Sequence, residues 1–597
     1  MAGSAGHRPK QKWLGGVTAL AAVLFPLALL FDFHAQFYTD WSNNLWLTAF
    51  NGDFLRARGY FPSVLNYHRA VGGTAPLFYG YLLYPLLGTI ASVGGAHLAL
   101  RIGCVVVGLL EFSGLYCAGR NIYRHRGLAA TVAISILWSA YGLTNLYNRS
   151  ALPEYFATGF LAATVGFILA SLTAEPGQPQ GLWIWLSCVC GTLAMGSHPI
   201  TTLVGAPVIA GLIVFAVWGH WRGTTARFGT RGWILCIAGA ALGLLTLTPW
   251  LAMTLHWGHR LGAWGGPSGF MHFPDRCDNL AGRFLPWPHD AIGAANEGKT
   301  STPYLEAPLA MDLVLLLAWL LIGAFRGGVD PATKRIRPEA WMLLIVSLLW
   351  LAFLLFITLS PAFGDRFPQF GTLVQFSYRL VSHCNLALAL GCLAAGLLAR
   401  KAIAGRPGQA SLAAAICCLI AAATVVIKLE HGAAVQESNR SSAFGLTPNP
   451  ARLIDGRDAL HDIEPMYATP SLVRKLSDAE AAEATLLPFP VVNRGSHYAQ
   501  VEPMVAVVDR PRWFVTNAAV FPYGEVLRDG QLMPADQLAH RDWALAIHLP
   551  AGRSVLSWRW NPPSSFHRLR VAGLAAALAL FAGTFVVYLR ERRLATR

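Results

Sequence analysis

The sequence predicts an all-α polytopic membrane protein of about twelve transmembrane helices with a small β-rich extracytoplasmic domain. Three observations predict it. The 597 residues are 54% hydrophobic and only 13% charged, whereas soluble domains carry roughly 25% charged residues. Apolar runs of about 18–22 residues, the length that crosses a bilayer, recur along the chain. Lys and Arg gather in short connections that fall on one side when the runs are counted off, as the positive-inside rule requires. The net charge of +15 is therefore explained by topology, and no nucleic-acid partner is expected.

The runs lie near 13–33, 98–119, 127–146, 155–173, 182–197, 199–218, 232–254, 308–325, 340–361, 380–400, 410–428 and 570–589. A basic start without a small-residue cleavage site marks the first run as a retained helix. His7 to Lys12, Arg120 to Arg126, Arg222 to Arg231, Arg326 to Arg337, Arg400 to Arg406 and Arg590 to Arg597 then share the cytoplasmic side, placing both termini there. Counting Leu77 to Val93 as a further span would invert every later loop, so its Pro85 and paired aromatics are read as a helix at the outer interface.

This divides the chain into a transmembrane domain, 1–429, with outer loops at 34–97 and 255–307; an extracytoplasmic domain, 430–568; and a last helix with a basic tail, 569–597. Within 430–568 the runs Tyr498 to Val508, Trp513 to Phe521, Trp543 to Leu549 and Ser554 to Trp560 read as strands, with turns such as Asp529-Gly530 between them. Nine of the ten cysteines sit in or beside apolar runs and read as small hydrophobes rather than a disulfide framework.

Sorted by side, the ionisable residues gather at outer helix ends, where each needs water, a cavity or a partner. Moving a group from a phosphate-linked lipid to a hydroxyl would account for them. It needs a carboxylate to take the hydroxyl proton and cations on the departing phosphate. Asp40 could supply the first, although Thr39-Asp40-Trp-Ser-Asn-Asn44 is also helix-capping chemistry. Arg101, Arg149, Arg260 and Arg379 could supply the second, since guanidinium matches phosphate oxygens. Arg149 could instead pair with Glu154 across Asn148-Arg-Ser-Ala-Leu-Pro-Glu154, and His198, before Pro199, could be a hydrogen-bonded turn residue. Tyr378 and Arg379 open the tenth run at an interface. His256, His259, His272, Asp275, Cys277 and Asp278 crowd one loop and could hold a divalent ion, but their spacing matches no established zinc signature. No cofactor is otherwise indicated, and no phosphate-cradling Gly-rich loop follows a strand.

Asp40 with Gly59-Tyr-Phe-Pro62, Gly72-Gly-Thr-Ala-Pro-Leu-Phe-Tyr79, Arg149-Ser-Ala-Leu-Pro-Glu154, Ser197-His198 and Gln375-Phe-Ser-Tyr-Arg379 give residues 13–400 a family likeness. The chain resembles the GT-C superfamily of membrane glycosyltransferases. Within it, it looks most like bacterial membrane proteins labelled "6-pyruvoyl-tetrahydropterin synthase-related", a label that need not describe an activity. The resemblance implies a bacterial inner-membrane enzyme taking sugars from polyprenyl-phosphate carriers at the outer face. The acceptor would be an extracytoplasmic glycan, lipid or protein. Asp40 corresponds to the first-loop catalytic acid of those enzymes, and Asn44 stands where relatives often carry His. Substrate contacts are then expected from Asn44, Arg101, Arg149, Glu154, His198, Arg260, Tyr378 and Arg379. A lipid-linked glycan transporter, or a non-catalytic protein of envelope polysaccharide assembly, is the alternative; no internal repeat supports the transporter.

Overall fold

Each of the twelve apolar runs folds as helix in a computed structural model that describes residues 8–32, 37, 39–67, 70–73, 75–222, 229–258, 308–326, 337–367, 370, 374, 377–441, 469–493 and 499–596. Helices of eight residues or more are numbered here. They are α1 (Arg8–Leu24), α2 (Thr39–Arg58), α3 (Leu83–Gly94), α4 (Ala96–Tyr123), α5 (Arg126–Leu137), α6 (Leu152–Leu172), α7 (Gln180–Ser197) and α8 (Pro199–Trp221). There follow α9 (Thr230–Trp257), α10 (Met311–Arg326), α11 (Arg337–Leu359), α12 (Val381–Gly405), α13 (Pro407–Ser441) and α14 (Ser564–Thr596).

Among the described residues nine helical segments are long and apolar enough to cross a membrane: α4, the run Arg126–Asn148 that α5 opens, α6, α8, α9, α11, α12, α13 and α14. The chain is a multi-pass membrane protein. The other three runs, in α1, α7 and α10, make helices of 17, 18 and 16 residues. Hydrophobicity on all sides suits both kinds of neighbour, and packing decides which helix meets lipid. In α6 and α12 most side chains are buried by protein. In α8, α9, α11, α13 and α14 most are not, and Leu203, Leu244, Leu419 and Phe585 lie exposed, as lipid-facing residues would.

The run Leu77 to Val93 becomes a short turn, Ala75–Phe78, followed by the 12-residue α3. At 1.5 Å per residue α3 is about 18 Å long, too short for a hydrocarbon core of about 30 Å. It lies against α2, which is too polar to span, and the contact is close: a Cβ on Gly88 would sit 2.6 Å from Asn51 Cβ.

The chain's last third, joined by two strands of the first loop, forms three sheets. The largest runs β1 (Leu65–Tyr67), β2 (Ala70–Gly73), β8 (Arg512–Ala519), β12 (Ala544–Leu549), β11 (Leu538–Arg541) and β3 (Arg474–Lys475), with β4 (Thr485–Leu486) also on β8. The second runs β10 (Gln531–Leu532), β9 (Gly524–Arg528), β13 (Gly552–Trp560) and β7 (Met504–Val508). The third pairs β5 (Val491–Asn493) with β6 (Ala499–Val501). The four sequence-predicted strand runs all appear, and Asp529-Gly530 makes the β9–β10 hairpin with both φ angles positive.

Two features depart from the linear division. Helix α13 continues to Ser441, past the boundary at 429, because nothing in Lys428 to Ser441 breaks a helix. The β-rich unit is not made from 430–568 alone: β2, in the first loop, pairs in parallel with β8 at Val71↔Ala518. Val71 is buried in the same core as Phe514, Ala518, Leu556 and Trp558. Gly72 has φ +77° and lies against the Trp558 ring, where a Cβ would clash, so this position accepts glycine alone without strain.

Candidate functional site

The site begins where the third apolar run ends. After α5, the Ser139 hydroxyl accepts the Gly142 N–H and starts a short helical turn, Ala140–Leu143. The backbone then widens into a π-turn over Thr144–Asn148, closed by Arg149 N donating to Thr144 O at 2.9 Å. Such turns recur at functional sites, because one extra residue re-aims the side chains that follow. Ser150 takes φ +55° and reverses the chain, and Glu154 falls in the first turn of α6, where a carboxylate suits the helix dipole.

Glu154 is buried at the centre of a polar cluster. Its Oε1 accepts from the Tyr141 hydroxyl and from Asn145 Nδ2 at 3.2 Å. Its Oε2 accepts from Arg149 Nη1 at 3.3 Å and makes an ion pair with Arg379 Nε at 3.2 Å. The same Arg149 nitrogen donates to the Tyr141 hydroxyl at 3.0 Å and to Asn145 Oδ1. Arg379 comes from the 3-10 turn Ser377–Leu380 before α12, where its Nη1 donates to the Val374 carbonyl at 3.2 Å. Two guanidinium groups from elements 230 residues apart in number thus meet on one carboxylate oxygen (379 − 149 = 230).

His198 joins this end of the bundle as the N-cap of α8. Its Nδ1 accepts the Thr201 N–H at 3.3 Å and lies 2.7 Å from the Thr201 hydroxyl. Burial pushes its pKa down to about 4; Glu154 opposes the shift, while Arg379, Arg149 and His383 add to it. The imidazole is neutral at pH 7, with its remaining proton on Nε2 when Nδ1 caps the helix. Leu82 N donates to Gly196 O at 2.9 Å and so fastens the first loop beside His198. Tyr79 stands edge-to-face on the His198 ring, with centroids 6.1 Å apart. Burial raises the pKa of the Tyr79 phenol; Asp40 and Glu154 raise it further, and Arg379 and Arg149 oppose them. Tyr79 is thus within electrostatic reach of both carboxylates and both arginines.

Asp40 lies exposed in the first turn of α2, and its backbone carbonyl accepts from Asn44 Nδ2. Asn44 does more than sit one turn on. Its Nδ2 also donates to Ser150 O at 2.9 Å, and its Oδ1 accepts from the Tyr84 hydroxyl at 2.7 Å. One buried amide therefore fastens the start of α2 to the turn that carries Arg149.

The structure brings Asp40, Asn44, Arg149, Glu154, His198 and Arg379 to one end of the bundle. It places Arg101 differently. The Arg101 guanidinium donates to the carbonyls of Leu30, of His97 at 2.7 Å and of Asp32 at 3.1 Å, satisfying the 3-10 turn that follows α1. The reason is local: residues 28–31 form a 3-10 turn whose carbonyls need donors, and Arg101 is the buried cation next to them. Tyr378 contributes backbone to the turn before α12, and its side chain lies outside the described residues. Arg260 lies outside them too, as do His259, His272, Asp275, Cys277 and Asp278. His256 ends α9 against Trp257, and among the described residues no group of three His, Cys, Asp or Glu side chains could hold a metal ion.

Neither a protein-family model nor a curated protein matches the chain. Among solved structures it is similar to the archaeal oligosaccharyltransferase AglB from Archaeoglobus fulgidus, in complex with an inhibitory peptide and a dolichol-phosphate. The identity is 14% and the TM-score 0.41, over 80% of this chain and 62% of that one, so this chain spans less than two thirds of that enzyme. It is also similar to ArnT from Cupriavidus metallidurans bound to undecaprenyl phosphate, at 13% identity and a TM-score of 0.29, over 90% of this chain and 98% of that one. Superpositions this loose carry no argument about activity.

Tyr141 and Asn145 escaped sequence reasoning because they end an apolar run. With Arg149 they stand at i, i+4 and i+8, one face of a helix, and that spacing was the available signal. Tyr79 is legible as part of a motif but not as a phenol that feels Asp40, Glu154 and both arginines. A cavity of about 360 Å³ bounded by Gln178, Gln180, Arg231 and Glu591 lies past the far end of α6. The 21 residues of α6 put it about 30 Å from Glu154.

Proposed function

We propose that this chain is a GT-C-like membrane glycosyltransferase of the bacterial inner membrane with both termini cytoplasmic. It moves a sugar from a polyprenyl-phosphate carrier to an extracytoplasmic acceptor in cell-envelope glycan or glycolipid assembly. The observation that carries the reading is the meeting of Arg149 and Arg379 on one buried oxygen, beside a loop that holds Asp40. Guanidinium pairs of this kind suit phosphate, and a preorganised cluster stabilises charge that develops on a leaving group.

In the reaction, Asp40 takes the proton of the acceptor hydroxyl as that oxygen bonds to the anomeric carbon. The bond from that carbon to the carrier phosphate breaks, and its electron pair leaves with the phosphate, which Arg149 and Arg379 receive. Tyr79, a partly buried phenol against the His198 ring, feels the charge of Asp40, Glu154 and both arginines. The pattern Gly72 to Tyr79 also supports likeness to the pterin-synthase-labelled membrane proteins, as a matter of motif rather than of pterin chemistry.

The test is Asp40→Asn in the purified protein, with transfer measured on extracts containing polyprenyl-phosphate sugars. General-base removal lowers the rate by about 100-fold or more; undiminished transfer would remove Asp40 from the chemistry. A transporter of lipid-linked glycans is the second reading, favoured by Glu111, Asp312 and Lys428, all buried within apolar helices. It expects Asp40→Asn to leave function intact.

A further inference from the structure

We infer that Glu154 is a built-in competitor of the carrier phosphate: it occupies, with one carboxylate oxygen, the seat that Arg149 and Arg379 offer a phosphate oxygen. This rests on the polyprenyl-phosphate reading above. Three observations carry it. Glu154 Oε2 lies 3.3 Å from Arg149 Nη1 and 3.2 Å from Arg379 Nε, facing both guanidiniums at separations longer than the roughly 2.7–2.9 Å of a tight guanidinium–oxyanion contact. The other carboxylate oxygen is anchored separately, by Tyr141 and Asn145, so Oε2 can be displaced while Oε1 keeps its hold. Glu154 and both arginines are more than half enclosed, so neither charge is screened away by solvent.

The arrangement answers a problem of the reaction. Two unpaired guanidiniums in a buried site would repel each other before the carrier arrives and would hold its phosphate tightly afterwards. The product phosphate is a monoester, which carries more negative charge than the diester that entered. A carboxylate returning to the arginines lowers the affinity for that product and lets it leave. Glu154 is in this sense a positioning residue for the arginines and a limit on how strongly they bind.

The experiment compares the wild type with Glu154→Gln in neutral phosphatidylcholine nanodiscs, using undecaprenyl phosphate, undecaprenol and inorganic phosphate as probes. The glutamine keeps the side-chain shape and its hydrogen bonds to Tyr141 and Asn145 while removing the charge. Removing one charge 3–4 Å from a partly buried anion seat is worth at least about a tenfold change in affinity. Undecaprenyl phosphate is expected to bind the variant at least tenfold more tightly, with a larger thermal stabilisation on binding and no gain for undecaprenol. Inorganic phosphate separates the anion from the prenyl chain: a parallel gain supports a seat that reads phosphate alone, and a gain for undecaprenyl phosphate only supports one that needs both parts. Glu154→Asp, which draws the carboxylate back by one methylene, is expected to give a smaller gain and serves if the glutamine variant does not fold. Equal or weaker binding by folded variants, with wild-type binding intact, overturns the inference and leaves the enzyme reading standing. Failure of every form to bind undecaprenyl phosphate overturns both.

Discussion

His198 shows how a single residue reports its surroundings. Its Nδ1 caps α8, and burial among Arg149, Arg379 and His383 disfavours its charged form. The unfolded imidazole titrates near 6.5 and the folded one near 4, so between these values the unfolded state binds more protons. Stability from this residue is therefore complete above about pH 6.5, falls as the pH drops toward 4, and changes little below that. His198→Asn keeps a capping acceptor and removes the titration. Thermal unfolding in detergent from about pH 7.5 to about pH 4.5 should cost the wild type more than the variant; parallel losses would mean that His198 is not the titrating group. Arg101 makes the contrasting point at the same scale. Its residue type matched phosphate recognition, but three backbone carbonyls claim its guanidinium, and sequence does not reveal which acceptor an arginine will meet.

Among the elements, α2 and α3 decide where the site's first loop lies. Neither is a span, the first because it is polar and the second because it is short. Gly88 lets them touch at Asn51, and Asn44, one face along α2, reaches Ser150 and Tyr84. Gly88→Leu should separate the two helices and cost about 1–3 kcal/mol, read as a lower melting temperature in detergent; an unchanged value would show that α3 can move without cost. The π-turn after α5 is the other decisive element. In the sequence it is only the end of an apolar run; in the structure it carries Asn145 and leads into Arg149, which meets Tyr141 and Asn145 beside Glu154.

At the scale of the whole molecule, the two ends of the chain build one unit. Strands β1 and β2 of the first loop complete a sheet otherwise made from residues beyond 469, and Arg570 on α14 donates to Phe61 O at 2.8 Å and to the Ser63 hydroxyl. The Gly59-Tyr-Phe-Pro62 segment is thus held by the last helix. Arg570→Leu should leave undecaprenyl phosphate binding near its wild-type value, lower transfer several-fold, and increase proteolysis around residues 59–63. Unchanged cleavage there would show that the contact holds nothing in place.

Taken by itself, the sequence determined the membrane class, the twelve apolar runs, the short helix before the second span and the longer strands of the β-rich unit. These depend on hydropathy, chain length and turn residues, all of them local quantities. It also marked Asp40, Arg149, Glu154, His198 and Arg379 by their types and their place at helix ends. Tertiary structure alone decided which charges meet: that Arg149 and Arg379 share Glu154, that Arg101 caps the 3-10 turn after α1, and that Asn44 fastens one loop to another. The physical reason is that a charge buried near a membrane must find a partner, and which partner is nearest depends on helix packing rather than on position in the chain.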